Sequence, residues 1–224
     1  MDLKNNIKGF QNKLKDKDCT LVAVSKTKPE EVIMEAYNEG LRVFGENKIQ
    51  ELVTKYESLP KDIEWHMIGH LQRNKVKYIA SFIGLIHSID SLKLLKEVDK
   101  QAAKHDRVIP CLLQMHIAEE STKFGLSAEE LKVLLASEEF ATMEHIKIVG
   151  LMGMATNTDN TDQVRREFAD LKSLFSGIQS EYQNDKVQMS ALSMGMSGDF
   201  EIALEEGSNM IRVGSAIFGA RNYN

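Results

Sequence analysis

The sequence predicts an α/β fold, a single closed (β/α)8 barrel of the TIM-barrel type, on three observations. Eight strand-like segments alternate with helix-like ones from residue 21 to residue 213. No composition shift, Gly/Ser linker or low-complexity stretch divides the 224 residues, so 1–224 reads as one domain. Glycine-rich turns follow the seventh and eighth segments, where barrels of this kind often hold an anion. An open, doubly wound sheet is the alternative. The chain is shorter than the roughly 250 residues typical of such barrels, so its loops are expected to be spare.

The elements follow in order. Leu3, Ile7, Phe10 and Leu14 are spaced for one face of an amphipathic helix over 2–17, ahead of the barrel proper. Residues 21–25 form the first strand, and Pro29-Glu30-Glu31 starts a helix that Gly40 closes. Strands over 41–45, 64–69 and 85–89 are followed by helices over 48–57, 71–79 and from a Ser91 cap to about His105. Pro110 within 108–116 argues for an irregular fifth strand or a bulge. Ser127 with Glu130 three positions on is a capping box. Strands over 146–154, 188–194 and 209–213, with a helix over 161–182, complete the pattern.

Composition narrows the function. A formal net charge of −5 from 28 basic and 33 acidic residues, well mixed along the chain, leaves no basic stripe for nucleic acid or anionic lipid. Cys19 and Cys111 make neither metal spacing nor a disulfide framework. The start MDLKNNIKGF lacks the apolar core of a signal peptide, and no run approaches a membrane span. A cytoplasmic protein is expected.

Lys26, at the carboxyl end of the first strand, shares the parity of Val22 and Val24, so its stem points where theirs do. Burial there would lower an amine's pKa and favour the neutral nucleophile that Schiff-base chemistry requires. Snorkelling to solvent is the bland alternative, and Lys28 is a rival of the same parity. At the far end of the chain, the Ser193 hydroxyl and the amides of Gly214 and Ser215 at a helix start supply donors for one phosphate. Neither GxGxxG nor GxxxxGK[ST] is present, so dinucleotide and P-loop readings find no support. A lysine and a phosphate cradle in one mouth point to a phosphorylated carbonyl compound, either pyridoxal 5′-phosphate or a phosphorylated sugar. Arg212, of the same parity as Gly214, suits the pyridine nitrogen of the former; a salt bridge to Glu201, Glu205 or Glu206 is its alternative.

The segments AVSKTKP (23–29), FGENKIQE (44–51), WHMIGHLQRNK (65–75), GLMGMA (150–155), LSMGMSGDFE (192–201) and IRVGSAIFGAR (211–221) occur in order. They closely resemble the YggS/PROSC family of pyridoxal phosphate-binding proteins, from before residue 20 to the last few residues. The resemblance implies a barrel of the alanine racemase N-terminal-domain type and a role in vitamin B6 homeostasis rather than a defined turnover. It further implies that Lys26 holds pyridoxal phosphate as a lysine aldimine, that Ser193, Gly214 and Ser215 contact the phosphate, and that Arg212 lies beside the ring nitrogen. Asn47 is implied at the pocket wall. Apo-enzymes that use the cofactor are the expected protein partners, and a monomer is the expected state.

Three functional classes follow: a module that holds and releases the cofactor, an amino-acid racemase, and an aldolase-like Schiff-base enzyme. Two-base racemisation needs a second proton donor on the opposite face of the substrate, which the resembling racemases take from a C-terminal β domain. This chain ends at Asn224 directly after the eighth strand and a short helix, so that domain is expected to be missing. An aldolase wants an acid-base partner near Lys26 that the sequence does not locate. His66 and His70 straddle a strand end with no third ligand in register, so a metal site is not expected. The holding module leads.

Overall fold

A computed structural model describes residues 2–119 and 124–220. Eight strands, β1 (Thr20–Val24), β2 (Val43–Glu46), β3 (Glu64–Met67), β4 (Leu85–Ile89), β5 (Ile109–Gln114), β6 (Ile146–Met152), β7 (Val187–Ser193) and β8 (Met210–Val213), close in sequential order into a barrel. Every pairing is parallel, and β8 returns to β1 in a four-residue register from Thr20↔Met210 to Ala23↔Val213. This is the (β/α)8 architecture expected from the alternation. Among the described residues nine helices accompany the strands: α1 (Leu3–Leu14), α2 (Glu30–Asn38), α3 (Ile49–Ser58), α4 (Leu92–Ala103), α5 (Ala128–Leu135), α6 (Glu138–Ala141), α7 (Thr161–Tyr182), α8 (Phe200–Glu205) and α9 (Ser215–Phe218).

The main core lies between strands and helices. α7 shows why its sequence is helical and amphipathic: Val164, Phe168, Leu171, Phe175 and Ile178 recur every three or four residues and are all buried. α1 buries Ile7, Phe10 and Leu14, is capped by Asp2, and sets Phe10 at 5.1 Å from the Phe200 ring of α8. Inside the barrel a smaller apolar cluster of Val22, Leu85, Leu112, Met152 and Met210 fills the lower layers. The capping box of Ser127 and Glu130 forms, and Pro110 lies in β5 beside a register shift at Cys111 and Leu112.

Several boundaries differ from expectation. The segment after β3 is a 3-10 helix, Arg73–Tyr78, rather than an α-helix, and α6 was not anticipated. β1 stops at Val24, so Lys26 stands in the turn beyond it, where Thr27 takes a positive φ of 64°. α9 has only four residues, and its carbonyl end is tied down by side chains from the start of the chain: Asn6 donates to Ile217 O and Lys28 to Phe218 O, each at 3.0 Å.

Candidate functional site

At the carboxyl ends of the strands a cavity of about 440 Å³ opens, lined among others by Lys26, Asn47, Phe124, Ser197, Arg212 and Gly214. Its walls come from the turns after β1, β2, β3, β5, β6, β7 and β8, as expected for chemistry in this fold. Lys26 is half-buried there, beside Val24. Its turn is clamped on both sides. Lys55 of α3 donates to Ser25 O at 2.9 Å, and Glu51 accepts the Thr27 N–H at 2.6 Å. Lys55 also bridges Glu51 and the buried Glu46 at 2.6 and 2.8 Å, while Ser25 Oγ donates to Glu46 Oε1 at 2.6 Å. Burial nevertheless pushes the Glu46 carboxyl up, against the opposing pull of Lys55 and Ser25, and its Oε2 has no hydrogen-bond partner among the described residues.

Lys28 also reaches the cavity, but its ammonium is bound by the carbonyls of Phe218, Gly219 and Ala220 at 3.0 to 3.4 Å. Those three carbonyls tie the Lys28 ammonium to the end of α9.

Asn47 stands at the wall, packed where a glycine is required: a Cβ on Gly69 would come within 2.5 Å of Asn47 O. Gly214 and Ser215 line the cavity, and a Cβ on Gly214 would approach Val24 Cβ and O at 3.3 Å, so the ends of β8 and β1 nearly touch. The amides of Gly214 and Ala216 converge on one oxygen, Ser197 Oγ, at 3.2 and 3.4 Å. In so short a helix as α9 these individual N–H groups, rather than a macrodipole, make the cradle.

Ser193 does not join them. It is the last residue of β7, fully buried, and is absent from the cavity wall. Its hydroxyl accepts from Arg212 Nη1 at 2.6 Å and contacts His87 Nδ1 at 3.0 Å. Arg212 and His87 occupy the Ser193 hydroxyl, and Ser197, four residues on, is the serine that meets the amides of Gly214 and Ala216. Arg212 is buried, lines the cavity and is fixed also by Gly153 O at 3.0 Å. Desolvation brings its pKa down to about 10, partly offset by Asp199, so it is cationic at neutral pH. The carboxylates considered as its alternative partners are engaged elsewhere, Glu201 by Lys13 and Glu205 and Glu206 by Arg165.

His87 escaped the sequence reading, although it shares the parity of the inward Leu85 in a strand whose other residues, Ser88 apart, are apolar. His66 contacts Glu64 and His87, and His70 stacks on Phe124 at 4.6 Å. Among the described residues no His, Cys, Asp and Glu group is arranged to hold a metal, and no helix is long and apolar enough to cross a membrane. Lys123, which precedes Phe124 in the sequence, lies outside the described residues.

The family described as alanine racemase, N-terminal domain, matches residues 1–222. A pyridoxal phosphate homeostasis protein of Aquifex aeolicus is 44% identical over 204 residues, 91% of this chain and 87% of the relative. One of the same name from Haemophilus influenzae is 34% identical, over 100% of this chain and 98% of its own length. PipY of Synechococcus elongatus PCC7942, solved with PLP bound, has a TM-score of 0.88 at 31% identity, over 97% of this chain and 100% of that one. Alanine racemase from Bartonella henselae, 15% identical with a TM-score of 0.73, shares the fold over 62% of its length. By sequence and by fold, the chain belongs to the alanine racemase N-terminal domain family, alongside the pyridoxal phosphate homeostasis proteins.

Proposed function

We propose that this chain binds pyridoxal 5′-phosphate in the barrel mouth and holds and releases it in the cytoplasm, as part of vitamin B6 homeostasis. The observation that carries this reading is the meeting, in one cavity, of a half-buried lysine, a buried arginine and a pair of convergent amides. The donor set fits the three polar ends of the cofactor. Gly214 and Ala216 with Ser197 and Ser215 take the phosphate, Arg212 takes the ring nitrogen, and Lys26 takes the aldehyde carbon. When bound, the cofactor supplies a carbonyl for Schiff-base formation and an electron-accepting ring.

Arg212 argues for holding over turnover. A guanidinium has only donors, so it meets a ring nitrogen through an N–H and leaves that nitrogen unprotonated, a weaker electron sink for carbanion chemistry. The clamp on residues 25 and 27 orients Lys26, and Asn47 with Gly69 shapes the wall. Met196 and Phe124 are exposed at the rim, apolar groups suited to a passing contact with an apo-enzyme that receives the cofactor. In this reading the chain acts as a monomer.

Titration of the purified protein with pyridoxal phosphate should produce a visible absorbance band. Borohydride reduction and peptide mapping should place the pyridoxyl mass on Lys26, and Lys26→Ala should remove both. A label on Lys28, or no band at all, overturns the reading. Exchange of amino-acid α-protons in deuterated water at ~1 s⁻¹ or faster would place the protein among the racemases instead.

A further inference from the structure

Below Arg212 the barrel interior is crossed by a continuous polar chain. Arg212 Nη1 donates to Ser193 Oγ at 2.6 Å, and Ser193 Oγ meets His87 Nδ1 at 3.0 Å. His87 Nε2 meets His66 Nδ1 at 3.0 Å, and His66 Nε2 meets Glu64 Oε1 at 2.9 Å. Ser193, His87 and His66 are buried, whereas the Glu64 side chain, on the first residue of β3 at the opposite rim, is 55% exposed.

The two ends fix the direction of every link. A guanidinium can only donate and a carboxylate can only accept. His66 must therefore carry a hydrogen on Nε2, and where the ring holds no second proton its Nδ1 is an acceptor. His87 Nε2 must then carry a hydrogen, its Nδ1 accepts, and the Ser193 hydroxyl donates to it while accepting from Arg212. All hydrogens point toward Glu64 and all lone pairs toward Arg212. The opposite sense would set the His66 lone pair against the carboxylate and leave the Ser193 hydrogen without an acceptor. A protonated or neutral residue 64, or a doubly protonated His66, permits it.

In the strand register His66 pairs with Gly45 of β2 and Leu85 of β4, and Leu85 belongs to the apolar cluster with Val22, Leu112 and Met152. Among the described residues the charged groups linked to the two rings are Glu64 on β3 and, through Ser193 on β7, Arg212 on β8, on which Asp199 acts. His87 is held well below the ordinary imidazole range by burial, then by His66 and Arg212, which agrees with a neutral ring.

We infer that Glu64, His66, His87 and Ser193 form a one-way hydrogen-bonded relay that positions Arg212 against the bound ring, and that the charge of Glu64 at the far rim locks its sense. The four are positioning residues, and the proposal rests on the reading that Arg212 faces the ring of pyridoxal phosphate.

Two measurements test it. In the apo-protein labelled with ¹⁵N-histidine, long-range proton–nitrogen spectra, assigned with His66→Asn and His87→Asn, should show both rings in the Nε2–H tautomer. His87 should stay neutral while ordinary histidines titrate. An Nδ1–H tautomer at His87, or its titration near ~6.5, overturns the relay. In the protein loaded with pyridoxal phosphate, Glu64→Gln should shift the pH profile of the cofactor's absorbance and weaken binding roughly five- to tenfold at unchanged melting temperature. Glu64→Asp should restore the profile in part. A Glu64→Gln profile and affinity identical to wild type overturn the role of Glu64. Wild-type protein that binds no cofactor while showing both Nε2–H tautomers defeats the functional reading and leaves the relay standing.

Discussion

Two buried polar networks support the cavity, one outside the barrel wall and one inside it, and they are built on opposite principles. The outer one sets Glu46, Glu51 and Lys55 between strand and helix as a compact ion cluster, with charges within 2.6 to 2.8 Å of each other. The inner one keeps its charges at the two ends, Arg212 and Glu64, and links them through neutral groups. A buried ion cluster meets its desolvation cost only through tight geometry, so it is stiff and unforgiving. That stiffness is used on the backbone, since the same ammonium and carboxylate hold residues 25 and 27 and keep Thr27 in its left-handed conformation. A neutral chain costs less to bury and can respond to a charge at its far end. One network locates the lysine; the other orients the arginine.

Breaking the outer cluster should have the largest effect. Lys55→Met leaves two carboxylates facing each other without a cation and should cost about 3–5 kcal/mol by urea denaturation. A cost below ~1 kcal/mol would show that the cluster is not holding the turn. Glu46→Gln keeps an acceptor for Ser25 and leaves Lys55 paired with Glu51, so about 1–2 kcal/mol is expected from the same measurement.

The inner chain should show itself through pH. His87 has a folded pKa below its unfolded value, so the unfolded chain binds a proton that the native one refuses. Stability is then fully present above the unfolded pKa and falls as pH drops below ~6.5, by at most about 1.4 kcal/mol per pH unit for this group. Denaturation midpoints of His87→Asn against wild type across that window should show the slope reduced, and parallel curves would contradict a neutral buried ring. The smallest expected effect is on the stability of Glu64→Gln, within about 0.5 kcal/mol at neutral pH, because the carboxylate is half exposed.

The barrel was legible because its signal is repetitive and local: eight apolar runs, caps at Ser91 and Ser127, and an amphipathic first helix. Lys26, Asn47, Arg212, Gly214 and Ser215 were placed on the cavity by strand ends and motifs. The two serines of the seventh turn could not be told apart in this way. Whether Ser193 or Ser197 meets the amides depends on where β7 stops hydrogen bonding, and it pairs through Ser193, leaving that side chain inside. His87 carries no local sign of its role. Its partners lie 21 and 106 residues away, and only the closed register brings them together.

The tie between α9 and the start of the chain has a consequence for how the protein assembles. The contacts of Asn6 and Lys28 with Ile217 and Phe218 span 211 and 190 residues of sequence, the kind of non-local pairing that forms late and slows folding. The amides of Gly214 and Ala216 sit just ahead of those carbonyls, so the cradle reaches its final shape only when the first and last elements meet. A ligand that occupies the cradle then favours the completed ring by mass action, by about 2.7 kcal/mol at a hundredfold excess over Kd. The stability of the completed ring is thereby linked to the concentration of whatever occupies the cradle.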